Sequence, residues 1–146
     1  MPGTPELPSV DYAGMEPKPS AIPPRILLAE DEEMIRRSLA FGLTRAGYRA
    51  EGHANGLLAF EAFLEKPDHY AMLITDIQMP LIDGMELVRR VRELRPGLPV
   101  LVMTGYGERD LEEHFVSLGN CLFVAKPFRL EDLVERIRSA LSTSRT

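Results

Sequence analysis

Residues able to do chemistry stand at the ends of the apolar runs of this sequence. Glu30 and Asp31 follow the run ILLA, and Asp76 follows AMLIT. Thr104 follows VLVM, and Lys126 follows LFVA. If the acids gather, their charges repel and raise one another's pKa, so such a cluster persists best around a cation. Carboxylate oxygens in this number suit Mg²⁺, which keeps several waters and takes phosphate oxygens as further ligands.

Asp76 has the chemistry of a phosphoryl acceptor. A carboxylate can act as a nucleophile and form an aspartyl phosphate. Phosphoryl transfer needs in-line placement and positive charge around the equatorial oxygens, which a metal ion and Lys126 would supply, with Thr104 as a hydroxyl donor. Taken singly, Thr104 is as well read as a cap and Lys126 as a solvated turn residue. Their joint occurrence at consecutive strand ends favours the functional interpretation.

The apolar runs and the patterns between them predict an α/β fold. From residue 25 onward a strand pattern and a helix pattern alternate five times, and continuous apolar runs are typical of strands buried on both faces of a parallel sheet. Right-handed crossovers then place helices on both faces of a five-stranded, doubly wound parallel sheet. In such sheets ligands bind beyond the carboxyl ends of the strands. The predicted strands are 26–29, 49–54, 71–75, 100–103 and 122–125.

Apolar residues at helical spacing fill the segments between the predicted strands. Gly47 stands where a C-cap glycine would end the first helix, and Asp83 stands at a helix start that it would cap. The fourth stripe is the shortest. The stripes are Ile35, Leu39, Leu43 and Ala46; Leu57, Phe60 and Leu64; Leu87, Val88, Val91 and Leu94; Leu111, Phe115 and Leu118; and Leu130, Leu133, Val134, Ile137 and Leu141.

Composition separates a proline-rich start from the predicted domain. Residues 1–24 hold more than half of the 12 prolines, which remove backbone donors and fix φ, so we expect a disordered or extended tail there. The expected domain covers 25–142, and 143–146 form a short tail. The 17 basic and 22 acidic residues give a net charge of -5, which argues against nucleic acid as the main partner.

The same composition bounds the cellular setting. The single cysteine, Cys121, excludes an internal disulfide framework. No apolar run approaches the roughly 20 residues that a membrane span needs, and the first residues lack the pattern of a secretory signal. We therefore expect a soluble, cytoplasmic protein with no membrane partner.

Four ordered motifs resemble those of the receiver domains of bacterial response regulators, the CheY-like family. They are ILLAEDEE, MLITDIQMPLIDGMEL, VLVMTG and VAKPF. The likeness covers residues 25 to about 141, roughly four-fifths of the 146-residue chain. It implies the flavodoxin-like strand order 2-1-3-4-5. The segments AEDEE, TDIQMP and MTGY further resemble short single-domain regulators of the CpdR type.

The resemblance implies a phosphoacceptor and a metal site. Asp76 would accept the phosphoryl group. Mg²⁺ would be held by Glu30, Asp31, Asp76 and the backbone carbonyl of Gln78. Glu30 departs from the family, which more commonly has Asp at this position. Its extra methylene lengthens its reach, which allows contact with the metal through water.

The resemblance also implies residues that stabilise the phosphoryl group and switch the fold. Thr104 would be the switch hydroxyl and Lys126 the phosphoryl-binding lysine. Phe123 would be the switch aromatic, although it has no hydroxyl and is equally well read as a core residue. The bond between Lys126 and Pro127 would be cis, because X–Pro bonds tolerate that isomer at low energy.

The partners implied by the family are proteins. A histidine kinase or a histidine phosphotransfer protein would supply the phosphoryl group from phosphohistidine. The phosphorylated form would bind a target through the fourth helix, the last strand and the last helix, including Leu111, Phe123 and the exposed side of 130–141. The protein would then be a signalling switch and not an enzyme.

Other interpretations remain open at this stage. Phosphatases of the haloacid-dehalogenase type also use Asp, Mg²⁺, Thr and Lys, but they need a second acid two residues after the nucleophile, where this chain has Gln78. The chain could also be the receiver part of a larger hybrid kinase. A third alternative is a binding module whose phosphorylation chemistry is vestigial.

Overall fold

The computed structural model of the protein describes residues 22–105, 109–119 and 121–144. Of the expected tails, 1–21 and 145–146 lie outside the described residues, while 143–144 belong to the last helix. The side chain of Leu111, one member of the expected target surface, lies outside them as well.

The described chain forms one five-stranded parallel sheet with helices on both faces. The strand order is β2-β1-β3-β4-β5, which confirms the predicted doubly wound architecture. The strands are β1 (Arg25–Ala29), β2 (Arg49–His53), β3 (Met72–Asp76), β4 (Val100–Thr104) and β5 (Cys121–Ala125). The α-helices are α1 (Glu33–Arg45), α2 (Gly56–Glu65), α3 (Gly84–Leu94) and α4 (Leu130–Ser144), and Pro67–His69 and Arg109–Leu118 are 3₁₀ helices.

Strand register aligns the carboxyl ends of the strands at one edge of the sheet. Ala29 pairs with both His53 and Thr75, Asp76 pairs with Met103, and Thr104 pairs with Ala125. Parallel strands all point the same way, so whatever follows one strand lies beside whatever follows its neighbours. This edge is where the sequence placed its polar residues.

Two apolar layers cover the two faces of the sheet. Leu27 and Leu73 face one layer, where α2, α3 and the 109–118 helix contribute Phe63, Leu87 and Phe115. Side chains of the opposite face of the sheet pack against α1 and α4: Ile26, Leu28, Ile74 and Met103 with Leu39, Leu43, Leu133 and Ile137. The continuous apolar runs of β1, β3 and β4 are therefore buried on both faces, as predicted.

The prediction of burial on both faces is wrong for β5. Only Val124 of this strand is buried, and Leu122 is 38% exposed. The reason is topological, since β5 is the last strand of the order and has a neighbour on one side only.

Local capping chemistry sets the helix ends. Asp83 Oδ1 accepts a hydrogen bond from the Glu86 N–H at 2.9 Å, which confirms the predicted cap of α3. Past the end of α1, Gly47 has φ 105°, its N–H donates to Thr44 and the next N–H, of Tyr48, donates to Leu43. This pattern is a Schellman motif, and the positive φ explains why glycine stands there.

Three predicted apolar stripes include a residue that the structure leaves exposed. Leu64 is 48% exposed, Leu94 is 49% exposed and Leu130, the first residue of α4, is 39% exposed. In α2 the buried line is Ala59 and Phe63, one position out of phase with the predicted stripe, and Leu94 is the last residue of α3. Ala59 is fully buried in the layer that contains Leu27 and Leu73, and a search for large apolar residues misses it.

A partly buried acid joins the first two strands to the segment before β3. Glu51 of β2 accepts hydrogen bonds from Arg25 Nη1 and from the Tyr70 hydroxyl, both at 2.8 Å. Burial alone would raise the pKa of Glu51, but the Tyr70 and Arg25 hydrogen bonds outweigh it and lower the pKa below 4.5. The charged form of Glu51 therefore stabilises the fold above pH 4.5 and loses that contribution as pH falls through the lowered pKa.

Replacing Tyr70 with phenylalanine tests this contact. Tyr70→Phe removes one hydrogen bond to a charged acceptor, and we expect a loss of about 1 kcal/mol in the free energy of unfolding near neutral pH. The difference from the wild type should shrink as pH falls from 4.5 through the lowered pKa of Glu51, where the carboxylate takes up its proton. Urea denaturation at several pH values measures it. A difference that does not change with pH while the folded protein takes up this proton would contradict the assignment.

Candidate functional site

The structure brings polar residues from the ends of four strands to the carboxyl edge of the sheet. Glu30 follows β1 directly and Lys126 follows β5, as the sequence predicts. Asp76 is the last residue of β3, not a residue beyond it, and Thr104 is likewise the last residue of β4. Each position is fixed by strand pairing on its amino-terminal side.

The ammonium of Lys126 lies between two carboxylates. Its Nζ donates to Asp76 Oδ2 at 3.0 Å and to Glu30 Oε1 at 3.3 Å. The remaining oxygens of both acids accept from the main chain, Asp76 Oδ1 from the Ile77 N–H at 2.8 Å and Glu30 Oε2 from the Glu32 N–H at 3.0 Å. Asp76 and Glu30 are therefore held by partners on two sides.

Burial and charge shift the pKa values in this cluster. Burial raises the pKa of Glu30 above 4.5, and the charge of Asp76 raises it further, against the lowering effects of Glu32 and Lys126. Burial would lower the pKa of Lys126, but the hydrogen bonds and charges of Asp76 and Glu30 outweigh it and raise the pKa above 10.5. Lys126 is thus firmly cationic at neutral pH.

Glu30, Asp31 and Asp76 form a cluster suited to a divalent cation. One carboxylate oxygen from each lies within 4.8 Å of the others. Glu30 and Asp76 are buried and Asp31 is exposed, so the cluster opens to solvent on the Asp31 side. A hard, oxygen-preferring ion such as Mg²⁺ fits this donor set, which carries more negative charge than Lys126 alone neutralises.

The remaining predicted residues occupy different places around this cluster. Thr104 is fully buried, and its hydroxyl donates to the Val124 carbonyl at 3.4 Å. Phe123 is half-buried and contacts Phe115 edge-on, with ring centroids 5.7 Å apart. The Gln78 side chain is exposed, and the role of its carbonyl stays a prediction. The peptide bond between Lys126 and Pro127 is cis, as predicted.

Gly84 is a positioning residue that the sequence reasoning missed. Its N–H donates to the Ile77 carbonyl at 2.6 Å, which brings the start of α3 against the end of β3. A Cβ at this position would lie 2.2 Å from the Asp76 carbonyl oxygen. The segment DGMEL carries the signal, because a glycine directly follows the cap residue Asp83 at the start of the helix.

Substituting Gly84 tests this close approach. Gly84→Ala must push α3 away from the main chain of Asp76, and we expect a loss of roughly 1–3 kcal/mol in the free energy of unfolding. Gly97 is the matched control, because a Cβ there meets nothing within 4 Å. Gly97→Ala should stay within about 0.5 kcal/mol of the wild type. Equal effects of the two substitutions in urea denaturation would contradict the packing argument.

Binding of Mg²⁺ tests the acidic cluster. A ligand at ten times its dissociation constant stabilises the folded state by about 1.4 kcal/mol, a shift of a few degrees in melting temperature. We expect Mg²⁺ to raise the melting temperature of the wild type and of Asp68→Asn, since Asp68 lies outside the cluster. Asp31→Asn should lose most of the shift. If Mg²⁺ raises the melting temperature of Asp31→Asn as much as that of the wild type, Asp31 does not bind the ion.

Comparison with known proteins agrees with the fold. The family model described as response regulator receiver domain matches residues 26–138. The chain therefore belongs to the response regulator receiver domain family.

In the part of the chain that the structure describes, no helix is both long enough and apolar enough to cross a membrane.

Individual relatives give the same assignment. The chain is 40% identical over 117 residues to the response regulator receiver protein CpdR of Brucella abortus, covering 80% of this chain and 96% of that protein. It is 38% identical over 128 residues to the transcriptional regulatory protein PdtaR of Mycobacterium tuberculosis, of which it spans 60%. Sporulation initiation phosphotransferase F of Bacillus subtilis is 30% identical over 118 residues, with 93% of its length covered.

Solved receiver domains share the architecture. A receiver domain protein from Clostridium thermocellum superposes with a TM-score of 0.79 at 25% identity, covering 84% of this chain and 97% of that one. A CheY-like receiver domain protein from Methanospirillum hungatei gives a TM-score of 0.78 at 27% identity, covering 85% and 98%.

Proposed function

We propose that this receiver domain accepts a phosphoryl group on Asp76, with Mg²⁺ as cofactor, from the phosphohistidine of a histidine kinase or phosphotransfer protein. The observation that carries the proposal is the Lys126 ammonium 3.0 Å from Asp76 Oδ2. Asp76 itself belongs to a cluster in which one carboxylate oxygen each of Glu30, Asp31 and Asp76 lie within 4.8 Å of one another. A nucleophilic carboxylate, a fixed cation and a divalent-ion site are the parts that phosphoryl transfer needs.

In the proposed reaction, a carboxylate oxygen of Asp76 attacks phosphorus. A P–O bond forms, the P–N bond to the donor imidazole breaks, and the electron pair returns to the ring nitrogen. Mg²⁺, when bound, neutralises charge on the phosphoryl oxygens. Lys126, already beside Asp76, supplies the second positive charge. The hydrogen bond from the Ile77 N–H keeps the carboxylate from rotating.

Phosphorylation would be read out through Thr104 and β5. The product carries about two negative charges and new acceptor oxygens. The Thr104 hydroxyl now makes a long hydrogen bond to β5, at 3.4 Å, so a stronger acceptor would draw it away. Phe123 and Phe115 join β5 to the 109–118 helix, so a change in β5 reaches that helix.

We infer that the target surface is the face built from the 109–118 helix, β5 and α4. Val116 is 74% exposed there, and Leu122 of β5 is also exposed. Apolar side chains held in solvent at an edge strand favour a protein partner over nucleic acid. We also propose that the receiver unit covers residues 25–142. We propose further that it works in the cytoplasm.

A signalling switch is favoured over an aspartate-nucleophile phosphatase. The phosphatase needs an acid two residues after the nucleophile, and this chain has Gln78 there with an exposed side chain. An amide cannot act as a general acid in place of a carboxylic acid. The two functions differ in turnover: a switch retains the phosphoryl group, whereas a phosphatase releases it repeatedly.

Labelling with a small phosphodonor tests the proposal. Phosphoramidate and Mg²⁺ should add one phosphoryl group to the wild type and to the control Asp68→Asn, as intact mass measures. Asp76→Asn should stay unlabelled, and chelation of Mg²⁺ should abolish labelling of the wild type. Equal labelling of Asp76→Asn would exclude Asp76 as acceptor. Many turnovers of phosphate per protein would support the phosphatase instead.

A further inference from the structure

The peptide between Glu30 and Asp31 is anchored by an arginine that lies outside the acidic cluster. Arg36 Nη1 donates to the Glu30 carbonyl oxygen at 2.9 Å. Arg36 lies near the start of α1, and the guanidinium is always charged, so the hydrogen bond is charge-assisted. Because the peptide unit is planar, fixing this carbonyl sets the direction in which the main chain enters Asp31.

Asp31 depends on this anchor more than its neighbours do. Glu30 has other contacts, since its N–H donates to the His53 carbonyl at 3.1 Å and its side chain is held by Lys126 and the Glu32 N–H. The Asp31 side chain is exposed, and none of the described residues makes a hydrogen bond or ion pair with its carboxylate. Its place in the cluster therefore follows from its main chain.

The aliphatic part of the Arg36 side chain packs closely against Gly52 of the edge strand β2. A Cβ at Gly52 would lie 2.9 Å from Cγ and 3.2 Å from Cδ of Arg36. Glycine inside a strand weakens it and often marks a close approach of another group. Here the missing side chain at Gly52 leaves space for the Arg36 methylenes, which lie across β2 on the way to the Glu30 carbonyl.

We propose that Arg36 is a positioning residue of the divalent cation site, an inference that rests on the proposed function of that site. Its hydrogen bond to the Glu30 carbonyl holds Asp31 within reach of Glu30 and Asp76. The positive charge of Arg36 by itself lowers the affinity for Mg²⁺, because two nearby cations repel each other. Loss of charge and loss of the hydrogen bond therefore change the affinity for Mg²⁺ in opposite directions.

Calorimetric titration of Mg²⁺ into the full chain separates these two effects. Arg36→Met keeps most of the stem and removes both charge and donor. We expect the dissociation constant for Mg²⁺ to rise about tenfold, since the lost charge offsets part of the lost hydrogen bond. Arg36→Lys should recover part of the affinity, since an ammonium can still donate. Arg37→Met is the matched control, because Arg37 is exposed and pairs only with Glu33, at 3.3 Å, within the described residues. It should bind Mg²⁺ as the wild type does.

Unchanged or tighter binding by Arg36→Met would overturn the proposal, since charge alone would then account for the residue. Gly52→Ala is the second variant, because it keeps the charge and displaces the stem, and it should weaken binding in the same direction. Melting temperatures without Mg²⁺ show whether each variant is folded. If the wild type itself neither binds Mg²⁺ nor is labelled by phosphoramidate, the proposed function fails and the inference with it. If the wild type does both while Arg36→Met and Gly52→Ala bind Mg²⁺ like the wild type, the inference alone fails.

Discussion

The ammonium of Lys126 between the carboxylates of Asp76 and Glu30 is the interaction on which the candidate site depends. Two acids buried at the end of a dry sheet repel each other, and burial penalises their charges. One cation touching both makes the arrangement tolerable, and 96 residues separate it from Glu30 in the chain. The fold has to close that separation before the site exists.

A parallel sheet brings these distant residues together, because the carboxyl ends of all its strands lie at one edge. The strands that carry Glu30, Asp76 and Thr104 are adjacent in the order β1-β3-β4, and β5 brings Lys126 to the same edge. Apolar layers on both faces hold these strands in register, while the carboxyl edge stays open to solvent at Asp31. The rigid core therefore supplies position, and the residues at the strand ends supply chemistry.

Sequence patterns were sufficient for the sheet and for the acids, the hydroxyl and the lysine at its edge, because strand ends follow directly from apolar runs. They were insufficient for contacts that depend on backbone proximity. Gly84 and Gly52 contribute because they lack a side chain where another group comes close. Arg36 contacts a main-chain carbonyl, and the residue types in the sequence do not reveal such a contact. The phase of α2 was missed because Ala59 is buried for its small size, and the exposure of β5 follows from strand order, not from its apolar composition.

We propose that Glu30, Asp31 and Asp76, beside Lys126, form one divalent cation site. Mn²⁺ replaces Mg²⁺ at oxygen-ligand sites and broadens the NMR signals of nearby nuclei. Titration of the isotope-labelled protein with Mn²⁺ should broaden the amide signals of Glu30, Asp31, Ile77 and Lys126 first, and excess Mg²⁺ should restore them. Broadening that begins elsewhere, or that Mg²⁺ does not reverse, would contradict the account.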